Sequence, residues 1–227
     1  MPTAPFKQFH KLLKEAYLSF WETLKWMPKS LKSLAIMQIA KVALIYISGP
    51  FWVLYASDVL GLTPYQWGQA ALISGAVRFT MAIPAGKLID KYGAKRMIVC
   101  FLALTPILSI AFLVSTSFVQ VLLVLSMIEV FNAFTIPAFQ SIMARLIPKK
   151  YRGRVLSALG IGMFYIDVRG IAIGHGVLLF VPGMFAFTLG GMLFELNATY
   201  PFLLTTVGSL VIAFTAFKLL PSKNRTH

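Results

Sequence analysis

Between residues 34 and 220 the sequence is a series of six apolar runs joined by short polar links. They fall at 34–57, 68–89, 97–115, 118–144, 175–195 and 199–220. Each is close to the ~20 residues that carry a helix across a bilayer. Lipid offers the backbone no hydrogen-bond partner, so a crossing segment must satisfy its own N–H and C=O groups as a helix or within a closed barrel. Runs of this length without strict alternation specify helices. Composition agrees: 58% of the residues are hydrophobic and only 12% are charged, about half the charged share of a soluble domain. The expected fold is an all-α integral membrane protein with six transmembrane helices.

The few charges are placed with one sign and on one side. The first 32 residues carry Lys7, Lys11, Lys14, Lys25, Lys29 and Lys32. The link after the second run has Lys87, Lys91, Lys95 and Arg96, the link after the fourth has Arg145, Lys149, Lys150, Arg152 and Arg154, and the tail has Lys218, Lys223 and Arg225. Of 21 basic residues only Lys41, Arg78 and Arg169 remain outside these segments. The opposite links, "DVLGLTPYQ", "STS" and "FELNATY", contain none. Lysine and arginine accumulate on the cytoplasmic side, so both termini are expected there, in a multi-pass protein of the plasma membrane. The net charge of +14 is then a topology signal that favours anionic lipid headgroups, and no nucleic-acid partner is expected. Cys100 is the single cysteine, so no disulfide closes within the chain. The N-terminus lacks the short apolar segment and cleavage site of a signal peptide.

Three segments are expected: a basic amphipathic cytoplasmic segment at 1–32, a transmembrane bundle at 33–221 and a cytoplasmic tail at 222–227. In the first, Phe6, Phe9, Leu13, Ala16, Phe20, Leu24, Met27 and Leu31 recur at helical steps with lysines between. That pattern describes an interfacial helix anchored on lipid, or alternatively a docking element for a partner. The stretch 155–175 is longer than a link requires and rich in glycine. "VLSALGIGMFYI" is expected to lie along the cytoplasmic face or to extend the fifth helix, and "DVRGIAIGHG" to form an irregular turn. Asp167 and Arg169 are expected to satisfy each other or that turn's backbone.

The link "AGKLIDKYGAKRMIV" is the most specific motif. It reads Gly86-x-Leu88-x-Asp90-Lys91-x-Gly93-x-Lys95-Arg96, after an even-numbered span and directly before a new helix. Gly86 permits close approach of two helix ends, and Gly93 a tight turn with positive φ. Asp90 stands before the free N–H groups of the next helix. This pattern resembles the loop signature of the major facilitator superfamily of secondary transporters. "ARLIPKKYRGRV" and "GGMLFELNATYPFLL" are similar to two further joins of that family. The family's fold has twelve spans in two halves of six, and the resemblance implies that this chain corresponds to the C-terminal half. It also implies that Gly86, Asp90, Lys91, Gly93, Lys95 and Arg96 form a gating loop, favouring one conformation of an alternating-access cycle. Ala94 departs from the family pattern, which often has arginine there.

Polar residues inside the runs are candidates for a cavity. Arg78 lies mid-span on a stripe with Gly68, Ala71, Gly75, Ala82 and Gly86, the small-residue pattern that lets membrane helices pack closely. It is therefore expected to face protein. Glu129 lies mid-span in the fourth run beside Asn132, on a face with Ser126, Ala133, Pro137 and Gln140. Arg78 and Glu129 share a depth, and an unpaired charge there costs about 3 kcal/mol or more, so they are expected to approach each other at the edge of a polar cavity. Lys41 lies in the first run on a face with Gln38, Ser48 and Trp52. The resemblance implies a cavity-lining span, whereas its position allows the ammonium to snorkel toward the cytoplasmic headgroups, and snorkelling is the favoured expectation.

No catalytic constellation is present. His10, His175 and His227 are far apart, with no metal-ligand spacing, and no phosphate-binding glycine loop occurs. Neither enzyme activity nor a cofactor or metal is expected. The reading is secondary active transport of an unknown small solute by a half-length permease, requiring a second six-span half or a homodimer. The alternatives are a truncated, non-transporting remnant and a membrane interaction or assembly protein.

Overall fold

The computed structural model describes residues 29–147, 165–168, 171–174 and 177–220. The amphipathic segment 1–28, the stretch 148–164 that contains most of "VLSALGIGMFYI", Arg169, His175 and the tail 221–227 lie outside the described residues. Helices occupy the apolar runs: α1 (Lys29–Ser48), α2 (Phe51–Asp58), α3 (Pro64–Tyr92), α4 (Ala94–Leu113), α5 (Phe118–Leu146), α6 (Val177–Leu196) and α7 (Tyr200–Leu219). Together α1 and α2 form the first span. Among the described residues five spans are long and apolar enough to cross a membrane, and the Pro182–Leu196 part of α6 is an apolar helix as well. The six-helix expectation is met, with ends within a few residues of the sequence reading.

Two local features differ from that reading. The first span is broken at Gly49 and Pro50, because proline brings no N–H to bond the carbonyl four residues back and its ring crowds the preceding turn. Tyr165–Val168 pairs antiparallel with Ile171–Gly174, Tyr165 opposite Gly174 and Val168 opposite Ile171. This small hairpin replaces the expected irregular turn, and it corrects the helical or interfacial assignment of Tyr165 and Ile166.

Two pairs of chain neighbours are not packing neighbours, while a third, α4 and α5, is. The pairs α3/α4 and α6/α7 touch little, whereas α3 packs on α5, α5 on α4, α4 on α7, α7 on α1 and α1 on α6. At the end rich in lysine and arginine, the core is Leu31, Leu34, Ile98, Phe139, Met143 and Ala216 with their neighbours. The opposite end is aromatic. Trp52 and Tyr55 of α2 pack on Phe112 and Phe202, with ring centroids 4.2–5.6 Å apart, and the Tyr55 hydroxyl donates to the Leu113 carbonyl at 3.0 Å. Edge-to-face and tilted pairs at such distances add to simple apolar burial.

The helix starts are encoded locally. Thr63 closes a capping box with Gln66 before Pro64, each side chain bonding the other's backbone N–H, which satisfies donors the first turn leaves free. Ser117 caps α5 through the Gln120 N–H.

A charged pair on the open face of the bundle

The charged link is a single residue. Gly93 ends α3 and begins α4, with φ 91° and ψ 140°. A side chain at that backbone conformation is strained, so glycine is required there. Its N–H donates to the Ile89 carbonyl at 2.8 Å. Asp90 and Lys91 are exposed in the last turn of α3, and Arg96 is exposed in the first turn of α4. Lys91 Nζ lies 5.2 Å from the Tyr92 ring centre, and Lys95 Nζ lies 5.7 Å from that of Phe217 on α7. Gly86 does not serve close approach: a Cβ built there meets nothing within 4 Å, which corrects that part of the sequence reading.

Inside the spans, the structure brings Arg78 and Glu129 together. Arg78 Nη1 lies 3.5 Å from Glu129 Oε2, with side chains 48% and 25% exposed. Asn132 Nδ2 donates to the other carboxylate oxygen at 3.3 Å. The α3–α5 packing positions the pair through Ala85, Ala133 and Phe134, with Met81 and Val130 against them. Ala70, Ser74, Ala85 and Ile89 are the buried residues of α3. The small-residue stripe is therefore not the packing face among the described residues. Gly68, Ala71, Gly75, Arg78 and Ala82 are all exposed, and a Cβ at Gly68 or Gly75 meets nothing within 4 Å. The expectation that Arg78 faces protein holds only through its carboxylate partner.

Lys41 turns inward, correcting the snorkelling expectation. Its Nζ lies 4.9 Å from the ring centre of Phe139, a buried residue of α5. A cation over an aromatic face is stabilised by the ring quadrupole. One turn away on α1, Gln38 Oε1 is buried without a hydrogen-bond partner among the described residues; such an orphan acceptor costs about 1–3 kcal/mol. Phe139 is the residue of this region that sequence reading missed. Its signal was a depth from the basic end similar to that of Lys41.

A bundle of six apolar helices, a one-glycine basic link and intramembrane charges suits a polytopic transporter. The profile of the Major Facilitator Superfamily matches residues 34–227. The chain belongs to the Major Facilitator Superfamily. Its six helices are one half of the family's twelve-helix fold, and the match covers every helix after the first turns of α1. Members of this superfamily are transporters, not enzymes, and the chain is accordingly a multi-pass membrane protein. Comparison with curated proteins gives no match.

Proposed function

We propose that the chain is the C-terminal half of a secondary active transporter that moves a small solute by alternating access. A second six-span half is required, as another part of the same polypeptide, a partner chain or a second copy. The observation that carries this reading is the Arg78–Glu129 pair, mid-span and half-exposed on a face of α3 that no other described residues cover. Charges at such a depth face protein or a water-filled path, because lipid contact is costly. The pair, Asn132, Lys41 and Gln38 would line one wall of a solute cavity, and the missing half the other.

The basic link would be the gating loop. Asp90, Lys91, Lys95 and Arg96 would make different contacts in the inward-open and outward-open states, and Gly93 would set the path of the link. Both termini and all basic links would lie in the cytoplasm of a plasma-membrane protein, held against anionic headgroups.

Counterflow in proteoliposomes tests the reading. With the second half supplied, the chain gives flux of a solute from a metabolite panel, and Glu129→Ala removes it without loss of insertion. Normal flux in Glu129→Ala removes the pair from the pathway. Absence of flux across the panel, with a correctly assembled complex, favours a non-transporting remnant.

A further inference from the structure

At the basic end of the bundle, α4 and α7 together present two lysines without acidic partners. Lys95, in the first turn of α4, reaches across to α7, where its Nζ lies 5.7 Å from the ring centre of Phe217. On α7 itself, Lys218 Nζ lies 4.3 Å from the ring centre of Phe214. The packing of α4 on α7 that brings these side chains together is among the most extensive in the bundle. Phe214 and Phe217 are three residues apart and so are neighbours on one helix face. The two ammonium groups therefore stand over adjoining rings. Neither lysine forms an ion pair among the described residues. In the described helices the acidic residue of this end is Asp90, on α3; Asp58 and Glu195 lie at the opposite end and Glu129 mid-span.

Both rings point away from the bundle, Phe214 59% and Phe217 62% exposed. Val211, Leu210 and Val207 continue the same exposed face away from the basic end. In a bundle that spans a membrane, such a face lies against lipid. One leaflet's share of the hydrocarbon is ~15 Å, half of ~30 Å, which at ~1.5 Å per residue is about ten residues of helix. Counted back from Lys218, that length passes Leu210. The ring quadrupole holds each ammonium without using any of its hydrogen-bond donors, and those donors and both charges are open to an oxygen anion. We infer that this face binds an anionic phospholipid, with its phosphate between Lys95 and Lys218 and an acyl chain along Phe214, Val211 and Leu210. Charge complementarity selects an anionic headgroup, because the cation of a zwitterionic one opposes the two lysines. The apolar row selects a lipid over a soluble phosphate. The inference goes beyond the transport reading and rests only on membrane insertion. A lipid held there ties α4 to α7 beside the Gly93 link.

The test uses the full chain in nanodiscs holding equal parts of phosphatidylglycerol and phosphatidylcholine, with native mass spectrometry of the lipid retained on release into detergent. Phosphatidylglycerol is expected to be retained in preference, with about fivefold contributed by each lysine. Lys95→Gln and Lys218→Gln should each lower the preference by that factor, and Lys95→Arg and Lys218→Arg should keep it. Arg145→Gln removes a charge from the same end, on α5, and should change the preference less than about twofold. An equal loss in Arg145→Gln reveals a diffuse surface effect and overturns the site, as does equal retention of the two lipids by the unaltered chain. Retention of neither lipid, with the chain recovered as a dimer, means that a second copy covers the face, and also overturns it. Excess soluble glycerol phosphate should not displace the lipid; displacement identifies a free-anion site and overturns the lipid assignment. If the glutamine variants do not fold, the thermal midpoint of the unaltered chain in detergent decides. Phosphatidylglycerol should raise it by binding the folded state, phosphatidylcholine and glycerol phosphate should not, and equal shifts overturn the inference.

Discussion

On α6, a Cβ added at Gly183 would lie 2.9 Å from the Tyr46 ring, while on α3 a Cβ added at Gly75 would meet nothing within 4 Å. Gly190 is tighter still, set against the Ile47 carbonyl and 2.8 Å from the Phe51 ring, and Gly208 on α7 faces Leu44. Thus α6 and α7 use glycine to bring α1 close, the established route to tight packing where lipid removes the hydrophobic drive between helices. The same residue type on α3 lies beside exposed Leu72, Phe79 and Ile83 and has no partner among the described residues. One face is finished and the other is prepared. Residue type alone does not distinguish them; the neighbouring helix does.

Substitution at the tight glycines gives the largest expected effect. Gly190→Val should destabilise the folded chain by about 3 kcal/mol, the upper range for overpacking, seen as a lowered thermal midpoint in detergent. Gly75→Val should cost less than a third of that. Equal losses would break the comparison. Gly93→Ala, which depends on backbone conformation and not on space, should cost about 1–2 kcal/mol, and the same thermal measurement reads it. At the aromatic end, Tyr55→Phe removes the bond to the Leu113 carbonyl and should cost about 1 kcal/mol with packing unchanged, readable in the detergent midpoint. The smallest effect has the opposite sign: Gly75→Ala should stabilise the isolated chain by up to about 1 kcal/mol through helix propensity. The same substitution should reduce cross-linking to a second half. If cross-linking is unaffected, the α3 stripe is not an interface and the contrast with α6 loses its meaning.

The spans were legible because burial in lipid selects long uninterrupted apolar runs, and the Arg78–Glu129 meeting was legible because depth follows from rise per residue. Gly93 was legible from its place between two runs. The break in the first span had a signal in the Gly49–Pro50 dipeptide that the continuous apolar character of 34–57 concealed. Which helix lies beside which was legible only for α4 and α5, whose short link does join packing partners. Short links suggest that α3 pairs with α4 and α6 with α7, yet those pairs barely touch, because side-chain fit between distant helices decides the arrangement. The α3 stripe misled for a related reason. Small residues occur on two faces of that helix, and only the one with Ala70, Ser74 and Ala85 meets α5. Lys41 could be assigned a depth but not a direction, since snorkelling and inward contact with Phe139 start from the same Cα.

The interruption at Gly49 and Pro50 has an electrical consequence. An unbroken first span would be one macrodipole with its poles at the two membrane surfaces. Cut between α1 and α2, it becomes two, and a negative pole and a positive pole stand tail to head within the span, each equivalent to roughly half an elementary charge. The two poles are opposite and adjacent, so the effect is local: a field at Gly49 and Pro50 that largely cancels elsewhere along the span.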